Sequence, residues 1–307
     1  MQPHYRDLLP LGDPDGLPYS KGMMARALLA AGVSVDSAYE LATRLELDLV
    51  AASRRAVEPE RFEELATELL GEAEGGRVVL RMRRLAALRS LDVPIFLLVG
   101  GATGTGKSTV ATEAAHRLGI TRVTSTDFIR QTIRAYFPPS EMPSVHSSSF
   151  EAGGPGGAME AGFLDQSQKV LVGVQASIDR ALNESWSMVI EGVHLVPGLV
   201  PAEIEGALLV HAVLRVDSVE EHASHFVIRD DTTGGERALG KYLDGLAEIR
   251  ALQDVIVDRA VRHDVPVIES SSIGHATTTL LDLVLSYFER DADPRGSRRL
   301  APSGGGP

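Results

Sequence analysis

The chain changes its hydrophobic rhythm at one point, near Pro94. Before it, apolar residues recur every three or four positions, the period of an α-helix packed on one side. Ser20 can cap a helix over Lys21–Ala31, with Gly32 just past its end. Ser34 can cap a second, in which Ala38, Leu41, Ala42, Leu45 and Leu49 share a face. Pro59 suits the first turn of a third, with Phe62, Leu65, Ala66 and Leu69 inward. A fourth, from about Arg77 to Arg89, turns Val78, Met82 and Leu85 inward. Its arginines at 77, 81, 83, 84 and 89 are read mainly as a solvated face. After Pro94 the pattern becomes short apolar runs separated by helical segments. Ile95–Val99 is unbroken, as a strand buried on both faces requires. Arg122–Thr126, Ser187–Ile190, Leu208–Val216 and Pro266–Glu269 are further strand candidates. Strands alternating with helices predict an α/β domain with a mainly parallel sheet and helices on both faces.

Three spans follow: an all-helical domain over 1–92, an α/β domain over 93–290, and a Pro-, Gly- and Ser-containing tail, 291–307, expected to be disordered. Residues 137–160 are rich in Pro, Ser and Gly and read as an irregular loop, of the kind that forms lids or binding segments. The 307 residues are ample for a core, and 44% are hydrophobic. A net charge of −12 argues against broad nucleic-acid or anionic-membrane binding, so an anionic substrate needs a local group of cations. There is no cysteine, which excludes disulfides and thiolate metal sites. No signal-peptide pattern opens the chain and no apolar run is long enough to span a membrane, so a cytoplasmic protein is expected.

The first strand runs into "GGATGTGKST" (100–109), which satisfies G-x-x-x-x-G-K-[ST] between a strand and a helix. Gly100, Gly104 and Gly106 permit backbone forms that side chains forbid, letting N–H groups converge on phosphate at a helix N-terminus. Gly101, Ala102, Thr103, Gly104, Thr105, Gly106, Lys107, Ser108 and Thr109 are the candidate nucleotide-binding residues. Lys107 is placed to reach the terminal phosphates of ATP and Ser108 to ligate Mg²⁺.

A phosphate loop names a nucleotide, not a reaction. Three further stretches supply candidate chemistry. Glu191, ending the strand in "SMVIEGVH", can serve the metal or act as a base. His194 follows it, either binding substrate or fixing the turn. In "STDFIRQTIR", Asp127 opens a helix with Arg130 and Arg134 on its face, suited to a hydroxyl of an anionic acceptor. An N-cap role is the plainer reading of Asp127. Arg229, Arg237 and Lys241 flank a flexible turn and could carry cations over the site on a lid.

Together with "PYSKGMMARALLAAGVSVDSAYELATRLE" (18–46), "VIEGVHLVPG" (189–198), "KYLDGLAEIRALQD" (241–254) and "VPVIES" (265–270), these stretches resemble the 2-phosphoglycerate kinase family of P-loop kinases. The likeness covers most of residues 18–290. It implies a P-loop NTPase-type sheet and transfer of the ATP γ-phosphoryl group, with Mg²⁺, to the 3-hydroxyl of 2-phosphoglycerate. It also implies an N-terminal module similar to the ATP-cone domain, although the basic opening typical of ATP-cones is absent. "ERALGKY" (236–242) is poorer in arginine than the family pattern. A kinase for another phosphorylated hydroxy acid or polyol, and a non-catalytic ATP sensor, are the alternatives.

Overall fold

The computed structural model describes residues 9–152, 159–233 and 239–292, with side chains given to residue 228 in the helix ending at Thr233 and to residue 290 in the last helix. The described residues fall into two compact units divided between Asp92 and Val93, with His116–Gly119 grouped with the first.

The first unit is helical: α1 (Lys21–Ala30), α2 (Val35–Ala52), α3 (Pro59–Leu70) and α4 (Glu72–Arg89). Ser20 and Ser34 cap α1 and α2 by accepting from the N–H of Met23 and Ser37, and Pro59 opens α3. All five expected positions of α2 are buried, beside Met24, Leu28, Phe62 and Met82. The fourth helix begins five residues before the expected Arg77 and runs through Gly75 and Gly76. The reason is close packing. A Cβ on Gly75 would stand 2.9 Å from the Ala66 carbonyl of α3, so glycine here joins two helices instead of ending one. Lys21 is paired with Glu46 at 2.8 Å.

The second unit is a five-stranded parallel sheet of order β2-β3-β1-β4-β5. Its elements are β1 (Ile95–Gly101), α5 (Lys107–Leu118), β2 (Val123–Ser125), α6 (Thr126–Tyr136), α7 (Met159–Asn183), β3 (Met188–Glu191), β4 (Leu208–Arg215), α8 (Val219–Thr233), α9 (Leu239–Asp244), α10 (Leu246–Arg262), β5 (Val267–Glu269) and α11 (Ile273–Ala292). Every residue of β1 is buried, so both faces of the central strand are covered. α7 packs on β3, α10 on β1, β4 and β5, and α11 on β4 and β5. Among the described residues no helix is long and apolar enough to cross a membrane.

All five expected strands form, with ends shifted by a residue or two. β2 is shortened at both ends: Thr126, expected in the strand, already opens α6. The stretch after α6 is more ordered than its composition predicts. Pro143–His146 and Ser149–Glu151 form single 3₁₀ turns that bury Ser144, Val145, Ser149 and Phe150. Residues 153–158 and the tail from 293 lie outside the described residues, and α11 carries the fold to Ala292.

Candidate functional site

The strand order brings the candidate stretches to one edge. β3 lies between β2 and β1, and Glu191 pairs in register with Ser125 on one side and Val99 on the other. The phosphate loop leaves β1 on one side of Glu191, and α6 leaves β2 on the other. Ligands of open parallel sheets bind at this carboxyl edge, where chain connections diverge.

The loop turns through positive φ at Gly101, Gly104 and Gly106. Gly100, expected among them, is not, and serves a close approach: its Cβ would stand 2.8 Å from the Leu195 carbonyl. Gly101 and Gly104 are also constrained sterically, Gly101 by the Leu214 carbonyl, 2.4 Å from where its Cβ would stand. At φ +87°, the Gly104 Cβ would lie 2.5 Å from the Phe226 ring and 2.9 Å from His222 Nε2. The loop carbonyls are held by side chains. His222 Nε2–H donates to Thr103 O at 2.8 Å, and His225 Nδ1–H to Gly104 O at 2.9 Å. The Ser270 hydroxyl lies 2.9 Å from Thr105 O, and the Thr105 hydroxyl donates to Ala102 O at 3.0 Å. Phe226, stacked between His222 and Tyr242, closes the loop's outer side. A cradle that excludes even a methyl group, at the N-terminus of α5, fits a nucleotide polyphosphate.

Lys107 folds back to donate to Ala102 O at 2.5 Å. Burial pulls its ammonium below its ordinary pKa, and the carboxylates of Glu191 and Asp127 oppose the shift. Lys107 therefore lies within the field of both acids. Ser108 donates to Glu191 Oε1 at 3.0 Å. No cluster of three or more metal-ligating side chains occurs among the described residues. A hydroxyl and a carboxylate are hard oxygen donors of the kind Mg²⁺ takes together with phosphate oxygens and water, so the pair fits a nucleotide-borne ion. A cleft of about 510 Å³ opens beside them, lined also by Thr112, Val123, Thr124, Ser125 and Phe128.

Across Glu191, Ser125 caps α6 by accepting from the Phe128 N–H at 3.1 Å, so Asp127 is not the cap. Its carboxylate is 59% exposed and accepts from Arg130 at 3.2 Å. Burial would raise the Asp127 pKa, but Arg130, joined by Lys107, outweighs it and holds the acid below its usual value. Arg130 also donates to the Val145 and Ser147 carbonyls, each at 3.1 Å. Arg134 instead turns to Gln131 at 3.0 Å. His194 corrects an expectation: it is fully buried, with both ring nitrogens engaged, and offers none to a substrate. Burial depresses its pKa to about 3, so it is neutral. The Arg229 side chain and all of Arg237 lie outside the described residues. Lys241, the remaining cation of the expected lid, pairs with Glu151 at 2.8 Å.

The chain is similar to known proteins over most of its length. A 2-phosphoglycerate kinase of Pyrococcus furiosus is 36% identical over 278 residues, covering 88% of this chain and 90% of its own. That of Methanopyrus kandleri is 32% identical over 294 residues, 94% and 88% respectively. The chain belongs to the 2-phosphoglycerate kinase family. No family model matches it. Among solved structures, a gluconokinase from Sinorhizobium meliloti 1021 aligns over 65% of this chain and 98% of its own, at TM-score 0.40 and 14% identity, a likeness too slight to argue from.

The site holds residues that motif reading missed. His222, His225 and Ser270 lie more than 110 positions from the loop they brace. Gln166 carried a signal: a buried amide set among the buried apolar positions Phe163, Val170, Val174 and Ile178 of α7.

Proposed function

We propose that this kinase transfers the γ-phosphoryl group of ATP directly to the 3-hydroxyl of 2-phosphoglycerate, giving 2,3-bisphosphoglycerate and ADP. The observation that carries the reading is the place of Glu191. It touches Ser108 of the phosphate loop at 3.0 Å and stands in register beside Ser125, which caps the helix bearing Asp127 and Arg130. The acceptor's identity is supported by the names of the archaeal relatives.

In this reading residues 93–290 form the kinase domain, and 1–92 a helical module similar to an ATP-cone. The N–H groups of residues 101–109 and Lys107 hold the ATP phosphates. Mg²⁺, when bound by Ser108 and Glu191, neutralises phosphate charge. Asp127, ionised and exposed, accepts the proton of the attacking hydroxyl; Glu191 is already committed to Ser108. The new oxygen–phosphorus bond forms as the bond between the γ-phosphorus and its bridging oxygen breaks, and that oxygen leaves with ADP. Lys107 offsets charge on the transferring group, Arg130 faces the anionic acceptor, and Arg134 joins it by leaving Gln131. Arg229 and Arg237 bring further cations on a lid. Positioning and electrostatics do most of the work. The partners in this reading are ATP and a small anionic acceptor, with neither nucleic acid nor membrane, and its compartment is the cytoplasm.

The test is incubation with ATP and Mg²⁺ and, separately, 2-phosphoglycerate or 3-phosphoglycerate, followed by ³¹P NMR. Formation of 2,3-bisphosphoglycerate from the 2-isomer is expected. Turnover of another acceptor but not of this one would refute the substrate, and ATP binding with no transfer to any acceptor would favour a sensor.

A further inference from the structure

Gln166 is a fully buried amide in the apolar stripe of α7. Leucine there would cost nothing in desolvation, so the amide needs a reason. Its Nε2 hydrogens go to the Ser144 and Ser147 carbonyls. This fixes the amide's orientation and leaves Oε1 as acceptor for His194 Nε2–H at 3.0 Å. His194 Nδ1 is then a lone pair, and it accepts from the Thr126 hydroxyl at 2.8 Å. Each member has its partners, and the chain has one direction.

Both ends of this chain reach α6. Thr126 precedes Asp127 in sequence. The Ser147 carbonyl held by Gln166 also receives Arg130 at 3.1 Å. Gly192 provides the space: a Cβ there would fall 1.8 Å from the Thr126 hydroxyl. The loop, α7, the turn after β3 and the start of α6 are thus tied together behind the two side chains that face the acceptor.

We propose that Gln166 is a positioning residue for the phosphoryl acceptor, acting through a buried relay that runs from the Ser144 and Ser147 carbonyls through Gln166 and His194 to Thr126. The relay sets Asp127 by its sequence neighbour and Arg130 by a shared carbonyl. The inference rests on the assignment of Asp127 and Arg130 to the acceptor. It sets the relay apart from the phosphate loop, which His222, His225 and Ser270 hold separately.

The test compares Gln166→Met, Thr126→Val, Thr126→Ser and Asp127→Asn in the full chain, by steady-state kinetics with ATP and 2-phosphoglycerate and by thermal melting. Gln166→Met and Thr126→Val are expected to raise the acceptor KM about tenfold or more while the ATP KM stays within about twofold. Thr126→Ser, which keeps the hydroxyl, restores the acceptor KM. Should Gln166→Met fail to fold, the Thr126 pair carries the test alone. Folded variants with unchanged acceptor KM, or with both KM values raised in proportion, overturn the relay. Full activity in Asp127→Asn overturns the acceptor assignment itself and the relay with it. Loss in Asp127→Asn with no effect at Gln166 and Thr126 overturns the relay alone.

Discussion

The two sides of Glu191 are held in place by different means. On the phosphate-loop side the constraint is backbone. Glycines take positive φ, and loop carbonyls are tied down by His222, His225 and Ser270. On the α6 side the constraint is side chains: Arg130 on two carbonyls, Gln166 on two more bonds, His194 and Thr126 in series. A polyphosphate is bound through many N–H groups, and a rigid backbone suits it. A hydroxyl must be placed at one atom, which calls for individually oriented side chains.

The largest expected effect comes from the residue that senses both sides. Lys107→Ala lowers kcat by about 10²–10³-fold, with the melting curve preserved. Near-normal turnover in a folded variant would remove it from the mechanism. Asp127→Asn lowers kcat by about 10²-fold on the acceptor side, read in the same assay with saturating substrates.

Gly104→Ala breaks the donor side alone. A side chain at φ +87°, 2.5 Å from the Phe226 ring, distorts the loop. The Kd for ATP, measured by calorimetry, rises about tenfold or more.

Acid acts on the fold through its buried histidines. His194 and His211 are buried, with pKa values pushed from 6.5 to about 3 and about 4. The unfolded chain takes up their protons below about pH 6.5, and the folded chain does not until far lower. Stability is therefore full above pH 6.5 and falls as pH drops toward 4. Urea midpoints at pH 7 and pH 4.5 should show the fall. His211→Leu removes one of these titrating groups and makes the fall shallower. The smallest effect is at Lys241. Its ion pair with Glu151 is half exposed on both sides, and Lys241→Ala changes stability by less than about 1 kcal/mol.

The same contrast decides what sequence reading could reach. The phosphate loop is contiguous, so its spacing names it. β1 and β4 are apolar runs, and every strand is found within a residue or two. The helix caps at Ser20 and Ser34 are local and legible. Gly75 was not, because its meaning lies in the neighbouring helix. The acceptor scaffold is assembled from residues 126, 130, 144–147, 166 and 194, and only Asp127 with Arg130 share a local pattern. His194 stayed open between binding substrate and fixing the turn because sequence carries no burial. The order of the 143–151 turns was hidden by their loop-like composition.

The most direct test of a site with two separately held halves is a crossed binding measurement. Calorimetry would give the Kd of ATP with Mg²⁺, and of 2-phosphoglycerate alone, for the wild-type chain, Gly104→Ala and Arg130→Met. Gly104→Ala should weaken ATP and leave 2-phosphoglycerate within about twofold, and Arg130→Met should do the reverse. Loss of both ligands in either folded variant would contradict the account.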